Sequence, residues 1–175
     1  FALEGLCDNC PSGSYQNLKA QGSCKDCAVG KASNSVGRNE TCAECHRGKF
    51  AANPGMPNCA QCPGGRFQEA RGKASCKQCA KGRFALAGSV DCTQCERGTH
   101  AADLGQSGCA KCQLGWFQDD EAASMCKSCP VGRVAGHVGW NETCAACPSG
   151  RVAKEAGMSN CTECQSGTFQ EIAGR

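Results

Sequence analysis

The chain has almost nothing with which to build an ordinary core. Isoleucine and tyrosine each occur once in 175 residues, and Leu, Ile, Val and Phe together make about 11% of the whole; below roughly 20%, a chain cannot bury a conventional apolar interior. No run of 18 apolar residues exists, so no helix-length membrane span is present. The 19 basic and 16 acidic residues are interspersed for a net charge of +3, which leaves no basic stripe for nucleic acid. There is no Ser-His-Asp set, no paired catalytic carboxylates and no glycine-rich phosphate loop. An enzyme is not indicated, and no catalytic residue, cofactor or metal site is assigned.

Cysteine is abundant instead. All 20 cysteines fall into ten C-x-x-C pairs, beginning at Cys7, Cys24, Cys42, Cys59, Cys76, Cys92, Cys109, Cys126, Cys144 and Cys161. Successive pairs are 16 to 18 residues apart. A period this regular marks a tandem array of small units, each packed on its neighbours. At about 11% of the chain, cysteine replaces the missing core with cross-links. A bridge closing a loop of about 15 residues contributes roughly 3 kcal/mol in the chain-entropy picture.

Each unit reads C-x-x-C-x-x-G-x-φ, where φ is an apolar or aromatic position. The glycine is present in ten units of ten, from Gly13 to Gly167, which points to a positive backbone angle or a close backbone approach. Two residues on stand Tyr15, Ala32, Phe50, Phe67, Phe84, His100, Phe117, Val134, Val152 and Phe169. This position is expected to start a short strand and to pack on a neighbouring bridge. A second glycine (Gly22, Gly55, Gly72, Gly88, Gly105 and Gly157, with Gly37 and Gly139 one residue earlier) is expected to reverse the chain toward the next pair. Only short two-stranded ribbons and turns fit between the pairs, with almost no helix. The fold class is therefore a small disulfide-rich, irregular/β array, expected to be an elongated rod whose contacts mostly span fewer than about 40 residues.

A second period lies over the first. Tyr15-Gln16, Phe67-Gln68, Phe117-Gln118 and Phe169-Gln170 recur every third unit, and Lys25, Lys77 and Lys127 follow the closing cysteine in the same units. Duplication of a three-unit block accounts for this, and so does a superhelix with three units per turn, which would place Tyr15, Phe67, Phe117 and Phe169 on one side. The expected blocks are 7–58, 59–108 and 109–160, with a partial block at 161–175, in one continuous array over 1–175. Phe1 falls at the aromatic position of a unit whose upstream cysteine is missing, and Arg175 lies inside a loop opened by Phe169. The expectation is a segment of a longer array.

The segments CPSGSYQNLKAQGSC and CPGGRFQEARGKASC resemble the ephrin-receptor-like cysteine-rich repeat. They are also similar to the first loop module of tumour-necrosis-factor-receptor cysteine-rich domains. The resemblance recurs ten times and implies a disulfide scaffold of the kind found in receptors, adhesins and large surface proteins. The interleaved second module of the receptor domains is absent, so cytokine binding is not implied.

Zinc is the rival reading of the cysteines, because C-x-x-C, about 14 residues, C-x-x-C comes near zinc-ribbon spacing. The zinc module of J-protein chaperones also repeats C-x-x-C, but follows it with G-x-G rather than the x-G-x-φ found here. Redox catalysis needs a helix N-terminus to activate one thiol, and ten like copies do not fit it. Asn39-Glu40-Thr41 and Asn141-Glu142-Thr143 are N-glycosylation sequons in equivalent loops, and Asn160-Cys161-Thr162 is a third. They fit an oxidising secretory setting. His46, His100 and His137 are too dispersed to form a ligand set; Asp119-Asp120-Glu121 lacks calcium-loop spacing and reads as a solvated turn.

The reading is an extracellular, cell-surface or secreted structural module, a disulfide-laddered rod within a fibrous protein. Its expected partners are other parts of a longer chain, further copies or other extracellular proteins, with N-linked glycans on Asn39, Asn141 and Asn160. A ligand-binding receptor or adhesin ectodomain is the second reading, and an intracellular zinc array the third. Equivalence of the units suggests Cys10–Cys24, Cys27–Cys42, Cys45–Cys59, Cys62–Cys76, Cys79–Cys92, Cys95–Cys109, Cys112–Cys126, Cys129–Cys144 and Cys147–Cys161, which leaves Cys7 and Cys164 to bond outside. The alternative pairs first with first and second with second, as in Cys7–Cys24 with Cys10–Cys27.

Overall fold

The computed structural model describes residues 7–175; the aromatic position expected at Phe1 lies outside them. Among the described residues there is no helix. Nine two-stranded antiparallel ribbons follow one another, each strand two residues long, from Ser14–Tyr15 with Lys25–Asp26 to Arg151–Val152 with Thr162–Glu163. The apolar position ends the first strand, and the two residues inside the next C-x-x-C form the second, so each ribbon pairs a strand within a disulfide loop with one just beyond the cysteine that closes it.

The turn into each ribbon explains its glycine. In the first loop the Ser14 N–H donates to the Pro11 carbonyl at 3.1 Å, with Gly13 between them at φ +85°, the place a type II turn keeps for glycine. A second constraint comes from two loops further on. A Cβ on Gly13 would collide with the carbonyl oxygen of Gly55, and one on Gly115 with that of Gly157. Contacts therefore reach 42 residues along the chain, slightly beyond the span expected from nearest-neighbour stacking.

The chain reversal departs from expectation at two places. Gly22 does not take a positive φ; Ala20 does, at 58°. Loop 112–126 has no second glycine and uses Ala122 at 54°. The reason lies in a hydrogen bond that every later reversal makes. Its N–H donates to the carbonyl of the second cysteine of a pair one loop back, at 2.8–2.9 Å. The left-handed angle aims this N–H, and alanine accepts the strain where glycine is missing.

The chain divides into two compact units. The first, up to Gln78 with Leu86–Asp91, holds four of these bonds: Gly37 to Cys10, Gly55 to Cys27, Gly72 to Cys45 and Gly88 to Cys62. The second, Cys79–Ala85 with Cys92–Arg175, holds five: Gly105 to Cys79, Ala122 to Cys95, Gly139 to Cys112, Gly157 to Cys129 and Gly174 to Cys147.

Half-cystines and alanines form the interior. Eight second cysteines, from Cys27 to Cys147, are fully buried, and Ala51, Ala85, Ala101, Ala135 and Ala153 are buried beside the ribbons. These residues directly follow the apolar position. In the loops of the second period that place is taken by Gln68 and Gln118, only 4% and 3% exposed. Gln118 Oε1 accepts from the Asp120 N–H, and its Nε2 donates to the Met125 carbonyl at 2.6 Å. Gln68 makes the same two bonds to Ala70 and Ser75, and Gln16 to Leu18 and Ser23. Lys77 and Lys127 then reach Glu69 and Asp119 across the same loops, while Lys25 reaches Asn17. The three-unit period thus has a physical expression in an internally braced loop. Phe169 belongs to that series but is 85% exposed and lies in no ribbon, because no second strand follows it within the chain.

Candidate functional site

The bridges come first. The structure joins the second cysteine of each pair to the first of the next: Cys10–Cys24, Cys27–Cys42, Cys45–Cys59, Cys62–Cys76, Cys79–Cys92, Cys95–Cys109, Cys112–Cys126, Cys129–Cys144 and Cys147–Cys161. Cys7 and Cys164 carry no bridge. Strand geometry gives the cause. The two cysteines of a pair flank a two-residue strand, and side chains three apart on a strand point to opposite faces. One therefore closes the loop behind it, and the other opens the loop ahead.

The sequons differ among themselves. Asn39 and Asn141 are exposed in loops closed in the same manner. Arg38 donates to the Thr41 carbonyl at 3.0 Å through its guanidinium, and Trp140 donates to the Thr143 carbonyl at 3.3 Å through its indole. Asn160 is exposed too, but its sequon is tied into the fold: Cys161 is bridged, and Thr162 lies in a ribbon with its hydroxyl donating to the Val152 carbonyl.

The dispersed residues find local roles. His137 lies against Trp140 with ring centroids 4.5 Å apart. Phe117 and Trp140 pack on Cys129, Ala135 and Cys144, the contact with a neighbouring bridge expected of the aromatic position. Asp119 and Asp120 both bind Lys127, at 2.6 and 2.7 Å. The Lys127 hydrogen bond holds the Asp119 carboxyl below its ordinary 3.8, and the Asp119 hydrogen bond is first in lifting Lys127 above 10.5. His100, read as packing, does pack on a bridge, but with a ring nitrogen facing sulfur: Nδ1 is 3.2 Å from Cys126 Sγ. Beside it opens a concavity of about 420 Å³ lined by Trp116, Met125 and Lys111. Trp116 is 42% exposed there. No sequence signal flagged this concavity, because it is assembled from two consecutive loops.

With this geometry in hand, comparison with known families is specific. The family described as "Tyrosine-protein kinase ephrin type A/B receptor-like" matches residues 2–40 and 98–143. Both segments are ephrin-receptor-like repeats. The ribbons, turn glycines and bridges outside them follow the same plan. This family is a receptor-like cysteine-rich module rather than an enzyme family, and such a module is consistent with an extracellular disulfide-rich domain. No curated protein matches the chain. No helix among the described residues is long and apolar enough to cross a membrane.

Proposed function

We propose that the chain is an extracellular, non-enzymatic scaffold: a disulfide-laddered rod of a fibrous or cell-surface protein, built on three-loop blocks at 7–58, 59–108 and 109–160. The observation that carries this reading is the backbone bond from each chain reversal to the cysteine carbonyl one loop back, repeated nine times. Within each unit such a ladder holds a loop at a fixed spacing from the next, as a scaffold requires. Glycans on Asn39 and Asn141, and on Asn160, would be presented at intervals along it, and the partners are other extracellular proteins or further copies. Small-angle scattering of the oxidised protein is the test. A long, thin profile is expected; a compact one overturns the rod. Glycopeptide mass spectrometry of secreted material should find Asn39 and Asn141 occupied.

A receptor or adhesin ectodomain is the second reading, and the Trp116 concavity favours it. Replacing Trp116 with alanine would then abolish attachment to a cell surface without changing the melting temperature. The zinc-array reading lacks support, because the cysteines it needs as thiolates are bonded to one another.

A further inference from the structure

One bridge stands in surroundings unlike the others. At the apolar position the other loops carry Phe, Tyr, Val or Ala, none of which offers a nitrogen ligand; the loop opened by Cys95 carries His100. Its nearer ring nitrogen lies 3.2 Å from Cys126 Sγ. Ligand atoms of His100, Cys112 and Cys126 all lie within 4.8 Å of one another. Cys112 is fully buried, while Cys126 is partly exposed at the Trp116 concavity.

We propose that Cys112–Cys126 is a reversible bridge, and that its opening by a dithiol creates a three-ligand site for a soft divalent cation, Zn²⁺ being the probe. A dithiol forms its own S–S bond and surrenders two electrons and two protons. The Cys112–Cys126 bond breaks, and the two protons end on the two sulfurs. A thiol or thiolate at Cys126 gains a hydrogen bond from His100 that the disulfide cannot match, so the reduced form is favoured over that of the sibling bridges. The cation then displaces both protons to solvent. Tetrahedral zinc takes sulfur at about 2.3 Å and imidazole nitrogen at about 2.0–2.1 Å, which the three groups reach through small side-chain movements. Two thiolates outweigh the positive charge of Lys111, and water from the concavity fills the fourth position. The loop keeps its shape when the bridge opens, because Gln118 braces it and Ala122 and Gly139 tie it to Cys95 and Cys112 through the backbone.

The test is graded reduction with dithiothreitol, alkylation and peptide mapping. Exposure alone predicts that Cys10–Cys24 opens first, since Cys24 is the exposed half-cystine. The proposal expects Cys112 and Cys126 to be alkylated before it; Cys10 and Cys24 labelled first would overturn it. After anaerobic removal of the dithiol, equilibrium dialysis against Zn²⁺ should show one ion per chain. His100→Phe introduces the side chain that Phe50 and Phe84 already place in equivalent loops. It should remove the early opening and weaken Zn²⁺ binding by roughly tenfold or more. His100→Gln serves as the control for packing. No Zn²⁺ uptake by the partly reduced protein, or equal uptake by His100→Phe, would overturn the site.

Discussion

Loops 62–76 and 112–126 lie three loops apart and share the aromatic-glutamine pair, and they agree in what the fold needs while differing in what it tolerates. Both have a buried glutamine bonded to its own loop at two points, a lysine after the closing cysteine and an acid to meet it. They differ at the reversal, where Gly72 faces Ala122, and in charge, where Lys77 meets one acid and Lys127 meets two. The loop before each also differs: Phe50 in one case and His100 in the other. The shared features fix the loop's shape against the conformational entropy of some fourteen residues. The differing ones lie where a single angle or an exposed pair can be adjusted cheaply.

The strongest way to break the likeness is at the turn. Gly115→Ala forces a Cβ onto the Gly157 carbonyl at a positive φ, and should cost about 4 kcal/mol or prevent folding of that loop. Gly150→Ala keeps the positive φ but meets open space, so it should cost only about 1–2 kcal/mol. Chemical denaturation of the two variants reads the difference directly.

Next come the braces. Gln68→Ala and Gln118→Ala each remove two hydrogen bonds from a buried position and should each cost about 2 kcal/mol. Similar losses in thermal unfolding would show that the brace is common to both loops; a loss in only one would mean the likeness is superficial.

The reversal sharpens the comparison, because the two changes have opposite signs. Gly72→Ala should destabilise by about 1 kcal/mol, since φ is +67° and Glu44 lies beneath. Ala122→Gly should stabilise by about 0.5 kcal/mol, as relief of the left-handed strain exceeds the entropy that glycine adds to the unfolded chain. Melting temperatures moving in opposite directions would establish this.

The smallest effect belongs to Lys127. Its lowered partner Asp119 adds stability above the ordinary carboxylate value, and loses it as pH falls through the lowered one. Lys127 itself, raised above 10.5, adds stability below that value and loses it as pH rises through the raised one. Lys127→Met should therefore lower the melting temperature slightly between those limits and flatten its dependence on pH. Added salt should shrink the difference, because the groups are exposed.

Much of this molecule was legible in the chain because its information is local. The cysteine period, the turn glycine and the short strand at the apolar position all sit within one loop, where spacing and backbone geometry suffice to read them. Gln16, Gln68 and Gln118 were visible as a period, but not as braces, because their partners are backbone groups that no residue type announces. Gly22 was misread for a similar reason: glycine permits a positive φ without requiring one, as Ala20 shows by taking that angle instead, and Ala122 shows that the hydrogen bond made by a later reversal can select the place without a glycine. The Trp116 concavity and the meeting of His100 with Cys126 join residues up to 26 positions apart. The sequence by itself determined that cross-links would stand in for a core, since so few apolar residues leave no other interior. Only the tertiary structure decided which backbone groups meet from loop to loop, because close approach between distant carbonyls and N–H groups depends on stacking rather than on side-chain identity.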